Sequence, residues 1–183
     1  MTLCGWKAKP IFPKEANRCV LIAAPHTTNW DMFYLKLGMW VLDIPIKFTI
    51  KDDWTKFPFG LVTKPLGGLG INRSKTKGDK ASVSYVDQMA NIIKERDQIA
   101  MVIAAEGTRS LRKRWKMGFY HTALKADVPL CFGYLDYENK EAGIGGMIHP
   151  TGDVSADMKV IHAFYKDIKG KYPEKFSLDE RYV

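Results

Sequence analysis

The sequence lacks both a cysteine framework and an apolar run long enough to cross a membrane. Its three cysteines, Cys4, Cys19 and Cys131, lie far apart and form no C-x-x-C pair. That spacing argues against a disulfide framework and a zinc site, and it fits a reducing cytoplasm. The longest apolar runs, at 19–25 and 99–105, are about seven residues, whereas a bilayer span needs roughly 20. The N-terminus, MTLCGWKAKPIF, also lacks the charged-then-apolar order of a signal peptide, so we do not expect secretion.

The chain has fewer acidic than basic residues. The chain carries 28 Lys and Arg against 20 Asp and Glu, a formal net charge of +8. Such a surface favours anions, which include nucleic acid, anionic lipid and phosphorylated metabolites. The 183 residues, 46% of them hydrophobic, fit a single domain over 1–183 with an ample core.

Strand and helix patterns alternate along the chain. Short apolar runs predict strands at 18–25, 44–50, 69–72, 98–105 and 128–137. Apolar residues at three- and four-residue steps predict helices at 29–43, 79–96, 115–127 and from 155 to a stop at Gly170. The Pro- and Gly-rich stretch 52–74 is predicted to be mostly loop around the short strand at 69–72. The alternation predicts an α/β fold with a mixed, mostly parallel sheet flanked by helices.

Two polar segments follow the two strands predicted to be most deeply buried. PHTTNWD occupies 25–31 and EGTRS occupies 106–110. In parallel sheets, ligands bind where strands end and loops lead into helices. We therefore expect these two segments to be neighbours in space.

His26 in the first segment has two interpretations, as an ordinary polar turn residue or as a general base. Residues five apart on a regular helix do not face each other, so His26 can reach Asp31 only from an irregular turn before the helix. Asn29 is the predicted N-cap, with its side chain accepting from a backbone amide. An aspartate on one ring nitrogen would leave the other nitrogen free as a base.

EGTRS is either a turn with solvated charges or a cradle for an anion. Gly107 lets backbone N–H groups approach a phosphate, Thr108 adds a hydroxyl, and Arg109 can bind phosphate oxygens bidentately. Glu106 would orient Arg109 or a substrate hydroxyl. Arg73, after the glycine cluster GGLG, offers a second cation, and the basic run RSLRKRWK at 109–116 is either a solvated face or a phosphate contact.

The segments PHTTNWD, GGLGINR, AAEGTRS and ADVPL together resemble the four sequence blocks of the glycerolipid acyltransferase family, which includes the 1-acylglycerol-3-phosphate acyltransferases. The likeness runs from about residue 6 to 137. It implies a glycerol-phosphate-acyltransferase-like fold and transfer of a fatty acyl group to a hydroxyl. The donor would be the thioester of acyl-CoA or acyl-carrier protein, with no bound cofactor and no metal.

The resemblance also implies roles for particular residues. His26 matches the family's base and Asp31 its partner. Residues matching the acceptor-binding positions are Arg73, Glu106, Gly107, Thr108 and Arg109. This sequence departs from the family pattern at two places. Ala105 stands where the family usually has proline before E-G-T-R. The fourth block lacks its usual second proline, and this departure makes Pro129 a less secure site residue.

We therefore expect a cytoplasmic O-acyltransferase at the inner face of the membrane, with a lysophospholipid or glycerol-phosphate-type acceptor and an anionic membrane surface as partner. No nucleic acid is expected. The alternatives are an amine-bearing lipid or glycolipid as acceptor, or a non-catalytic protein that binds anionic lipid or nucleic acid. Side chains that either dock on the membrane or cap the core are Trp54, Phe57 and Phe59 with Lys51, Lys56 and Lys64.

Overall fold

The structure, a computed structural model, describes residues 5–9, 17–71 and 84–183, with the side chains of Lys51 and Trp54 outside that description. Its strands are β1 (Lys7–Lys9), β2 (Arg18–Ala23), β3 (Ile46–Lys51), β4 (Gly68–Ile71), β5 (Ile99–Ala104), β6 (Leu130–Asp136) and β7 (Glu141–Ile148). Its helices are α1 (Trp30–Val41), α2 (Gly60–Thr63), α3 (Tyr85–Lys94), α4 (Gly118–Ala126) and α5 (Val154–Tyr165).

The strands form one seven-stranded sheet in the order β1-β7-β6-β2-β5-β3-β4. The central strand β2 pairs in parallel with β5 and β6, and β3 pairs in parallel with β5 and β4. The strand β7 runs antiparallel to β6, and β1 pairs in parallel with β7 at the edge. The predicted α/β fold with a mixed, mostly parallel sheet is confirmed.

Helices cover both faces of the sheet, which explains why β2 is apolar at successive positions. Its residues from Cys19 to Ile22 are fully buried. Because side chains alternate along a strand, Cys19 and Leu21 join a cluster with Leu35 and Met39 of α1. Val20 and Ile22 point the other way, into the larger cluster with α3, α4 and α5. Cys19 and Cys131 are free, buried thiols in this core.

Four parts of the chain differ from the sequence prediction. The last helix was predicted to stop at Gly170, but α5 ends at Tyr165. The stretch expected to be mostly loop contains a 3₁₀ turn at Asp52–Thr55 and the short helix α2. The strand β7 was not predicted, because its sequence EAGIGGMI is rich in glycine, which is a weak strand signal. The fold needs glycine there, since a Cβ at Gly145 would overlap the Phe164 ring. The edge strand β1 is three residues long and was also not predicted.

In the described ranges, we find no helix with the length and apolarity required to cross a membrane.

Candidate active site

The predicted neighbours meet at the carboxyl ends of the central strands. The parallel register aligns Ala23 of β2 with Ala104 of β5, so the loops that follow begin side by side. The backbone N–H of His26 donates to Oε1 of Glu106 at 2.9 Å. The PHTTNWD and EGTRS segments therefore form one site, as the topology predicts.

His26 and Asp31 form a pair with the expected geometry. His26 lies in the irregular turn before α1 and Asp31 in the first turn of that helix, and Nδ1 is 3.2 Å from Oδ2. The same Oδ2 accepts the backbone N–H groups of Thr27 at 2.8 Å and Thr28 at 2.9 Å. Asp31 is 5% exposed, and its other oxygen accepts the hydroxyl of Tyr137 at 2.7 Å. The buried carboxylate is thus held by four groups, and the imidazole is one of them.

Asn29 occupies the N-cap position of α1, but its side chain makes no capping hydrogen bond. Its Oδ1 accepts instead from Nη1 of Arg109. The prediction of a side-chain cap was therefore wrong, because the Asn29 backbone has helical angles, with φ of −67° and ψ of −26°, whereas a capping residue is typically extended. The contact ties Arg109 to the start of the helix that carries Asp31.

Glu106 lies on the buried side of the turn that contains His26, and it is only 1% exposed. Its Oε1 contacts the His26 backbone, and Oε2 has no hydrogen-bond partner among the described residues. Burial raises the pKa of this carboxyl above its usual value, and the His26 N–H opposes that shift. In the structure, this carboxyl holds the backbone of His26, and the expectation that it orients Arg109 or a substrate hydroxyl stays a prediction.

The remainder of EGTRS faces a cavity. Gly107 has φ of +64°, a conformation that favours glycine, so the expected unusual turn is present. Thr108 and Arg109 line the cavity beside His26 and Asp31. Arg73, the remaining predicted contact, lies outside the described residues.

The cavity has a volume of about 590 Å³ and is lined by both apolar and charged side chains. The apolar lining comes from α1, β3, α3, β5 and β6 and includes Met32, Leu35, Phe48, Met89, Val102, Ile103 and Leu135. The same cavity is lined by His26 and by the cations Arg109 and Lys116. This arrangement suits a ligand with a long apolar part and an anionic part. In the described portion of the chain, no group of three or more His, Cys, Asp or Glu side chains could hold a metal ion.

Lys116 was not singled out from the sequence. Its backbone N–H donates to the carbonyl of Ala105 at 2.8 Å, which brings it back to the EGTRS turn. Its side chain packs where a Cβ on Gly107 would lie. The only sequence signal was its position at the end of the basic run RSLRKRWK.

Comparison with known proteins supports a family assignment. The sequence profile of the family described as Acyltransferase matches residues 11–131, which is more than half of the chain. The chain belongs to the acyltransferase family. Comparison with curated proteins gave no match.

The fold of this acyltransferase is similar to a solved structure of the 1-acyl-sn-glycerophosphate acyltransferase from Thermotoga maritima. The TM-score is 0.56 at 16% sequence identity, over 87% of this chain and 67% of that chain. At that identity the likeness concerns the fold. The resemblance found in the four sequence blocks is confirmed at the level of the acyltransferase family.

The fourth block of this acyltransferase, ADVPL, joins the end of α4 to the start of β6, and none of its residues lines the cavity. The carbonyl of Pro129 accepts the backbone N–H of Val20 at 3.0 Å, directly before β6 begins. The contact of Pro129 is therefore with the neighbouring strand of the sheet.

Proposed function

We propose that this acyltransferase moves a fatty acyl group from the thioester of acyl-CoA or acyl-carrier protein to the hydroxyl of a lysophospholipid or glycerol-phosphate-type acceptor. The activity would be like that of a 1-acylglycerol-3-phosphate O-acyltransferase. The observation that carries the proposal is the His26–Asp31 pair, with Nδ1 and Oδ2 3.2 Å apart, in a cavity lined by apolar side chains and by the cations Arg109 and Lys116.

In this mechanism, Nε2 of His26 takes the proton of the acceptor hydroxyl while its oxygen attacks the thioester carbonyl. Asp31 holds Nδ1 and stabilises the imidazolium that forms. The tetrahedral intermediate expels the thiolate, which then receives the proton from His26. Because a thiolate is a good leaving group, the reaction needs no covalent intermediate on the protein.

The acceptor phosphate would lie against Arg109 and Lys116, the two cations in the cavity lining. Arg109 offers a guanidinium fork, Lys116 a second charge, and Thr108 a hydroxyl, while the Gly107 turn allows close backbone approach. Glu106 would serve this site indirectly, since it is buried and bonded to the His26 backbone.

The same proposal places the protein in the cytoplasm at an anionic membrane surface. A set of exposed apolar side chains lies in the segment after β3. The carboxyl end of β3 is at the same edge of the sheet as the His26 loop. The set consists of Phe57, Phe59, Leu61, Val62 and Leu66. Lys56 and Lys64 flank them and would attract anionic lipid. Lys56 also contacts Asp52 and Asp53, so we expect part of its charge to be neutralised within the protein.

The test is acylation by the purified protein, with products identified by mass spectrometry. Acyl-CoA and acyl-carrier protein are offered separately, each with lysolipids that have or lack a phosphate. We expect the phosphate-bearing lysolipids to be acylated fastest. Acylation of an amine-bearing lipid or glycolipid instead would replace the acceptor, and no acylated product from either donor would contradict acyl transfer.

A further inference from the structure

Tyr137 belongs to none of the four sequence blocks, yet it contacts the catalytic pair. It directly follows β6, and its hydroxyl donates to Oδ1 of Asp31 at 2.7 Å across 106 residues of sequence. The other oxygen of Asp31 faces Nδ1 of His26. The three side chains thus form a continuous chain of hydrogen bonds, in the order Tyr137, Asp31, His26.

The position of Tyr137 is fixed from several sides. Its ring packs edge-on against Trp6, with centroids 4.9 Å apart, and against Tyr34 at 6.1 Å. Its backbone N–H donates to the carbonyl of Lys169 at 2.9 Å. Burial and the bond to Asp31 raise the pKa of the phenol well above its usual range. The hydroxyl therefore remains a neutral donor at every pH at which the protein would work.

We infer that Tyr137 is a positioning residue for acyl transfer, which sets the rotation of the Asp31 carboxylate so that Oδ2 faces the imidazole of His26. This inference rests on the proposed function. Without the hydroxyl, Oδ1 would be a buried acceptor lacking a donor. The carboxylate would then turn until its two oxygens share the N–H groups of Thr27 and Thr28, and Nδ1 of His26 would lose its partner.

Steady-state kinetics of Tyr137→Phe test the inference, because this change removes one oxygen and keeps the ring. We expect roughly a tenfold loss in kcat, with KM for donor and acceptor within about twofold. Tyr34→Phe is the matched control, since Tyr34 stacks on Trp6 in the same cluster and makes no bond to Asp31. An unchanged kcat, or an equal loss in Tyr34→Phe, would overturn the assignment.

A second measurement needs no substrate. Diethyl pyrocarbonate acylates the free nitrogen of a neutral histidine, and peptide mass spectrometry gives the rate at His26 alone. The rates are compared on the alkaline plateau of the pH–rate profile, where the imidazole is neutral in every variant. We expect the plateau rate to fall several-fold in Asp31→Asn and in Tyr137→Phe, because the carboxylate on Nδ1 makes Nε2 more nucleophilic, and to stay at the wild-type value in Tyr34→Phe. If Asp31→Asn slows and Tyr137→Phe does not, the role of Tyr137 is overturned while the His26–Asp31 pair stands. If Asp31→Asn also reacts at the wild-type rate, the pair itself, and with it the proposed mechanism, is contradicted.

Discussion

The backbone N–H of His26 donates to Oε1 of Glu106 at 2.9 Å, across 80 residues of sequence. This bond joins the segment that holds the proposed base to the segment that holds the proposed phosphate site. Glu106 is nearly completely buried, so the bond lies inside the protein and holds the turn that contains His26 from its buried side. The two segments are therefore one structural unit.

Glu106→Gln should alter how stability depends on pH. Burial raises the pKa of Glu106 above its ordinary value of 4.5. The folded protein thus binds a proton more tightly than the unfolded chain, and the associated stability is lost as pH rises through the folded pKa. Glutamine does not ionise, so Glu106→Gln does not lose stability in this way. The free energy of unfolding of the variant minus that of wild type should therefore increase as the pH rises above the ordinary pKa of glutamate. Urea titrations at several pH values measure this difference, and a constant difference would contradict the account.

Arg109→Ala should weaken use of acceptors that carry a phosphate. It removes a charge-assisted fork, so kcat/KM for such an acceptor should fall by roughly tenfold or more, and much less for one without phosphate. Arg112→Ala is the matched control, because it removes the same charge from the same basic run outside the cavity. Equal losses for the two acceptors would assign Arg109 to the donor or to the fold.

The sequence predicts the parts of the fold that have a strong periodic signal. The buried strand β2, the helix α1 and the adjacency of the two polar segments follow from apolar runs and from the rule on strand ends. The strand β7 was not predicted, because glycine is a weak strand signal and the reason for glycine at Gly145 and Gly146 is the close approach of the Phe164 and Phe132 rings. Such contacts depend on tertiary packing, which a local pattern does not contain.

In the candidate site, the pairing that is local in sequence was predicted and the long-range contacts were not. His26 and Asp31 could be paired because they are close in sequence and lie on either side of the start of a helix. The contacts of Glu106 and Tyr137 join residues 80 and 106 positions apart, and no spacing rule relates such residues. The side chain of Asn29 was assigned to the wrong partner, because local capping was considered without the distant Arg109.

The C-terminal tail stabilises the segment that leads to Lys116. Asp179 is completely buried, accepts the backbone N–H of Trp115 at 3.0 Å and pairs with Arg181. Asp179→Ala would leave the Trp115 N–H and the Arg181 guanidinium without this acceptor. Because Arg181 is partly exposed and water can solvate it, we expect a loss of only about 2–3 kcal/mol in the free energy of unfolding. Chemical denaturation gives this value.

Glu180→Gln is the control in the same tail. Glu180 contacts Lys113 at 3.1 Å, with both side chains more than half exposed. Exposed pairs contribute little, so this change should cost well under ~1 kcal/mol. A similar loss in both variants would mean that the buried position of Asp179 is not what stabilises the tail.

Membrane binding should depend on the exposed apolar side chains around α2. Leu61 and Val62 are 70% and 63% exposed, and full burial of such a side chain is worth about 1.5–3 kcal/mol. Leu61→Ser combined with Val62→Ser should reduce co-sedimentation with anionic vesicles by roughly tenfold or more. The control replaces Leu124 and Val160, exposed residues of α4 and α5, by Ser. Equal binding by the two double variants would exclude this surface.

The charges near this surface give an independent check. Replacing Lys51, Lys56 and Lys64 together by Gln should weaken binding to anionic vesicles and leave binding to neutral vesicles nearly unchanged. Salt should weaken wild-type binding in the same way, because exposed charges are screened. Unchanged binding after the triple substitution would shift the docking surface to the basic run after Arg109.

The most direct test of the central claim is acyl transfer by His26→Ala, measured as product formed from acyl donor and lysolipid beside wild type. The residue lies in a loop, so the variant should fold, and matching circular dichroism and thermal unfolding would show that it does. We expect turnover to fall about 10²–10⁴-fold, the range typical of a lost general base. Near-wild-type turnover in a folded His26→Ala protein would contradict the proposed mechanism.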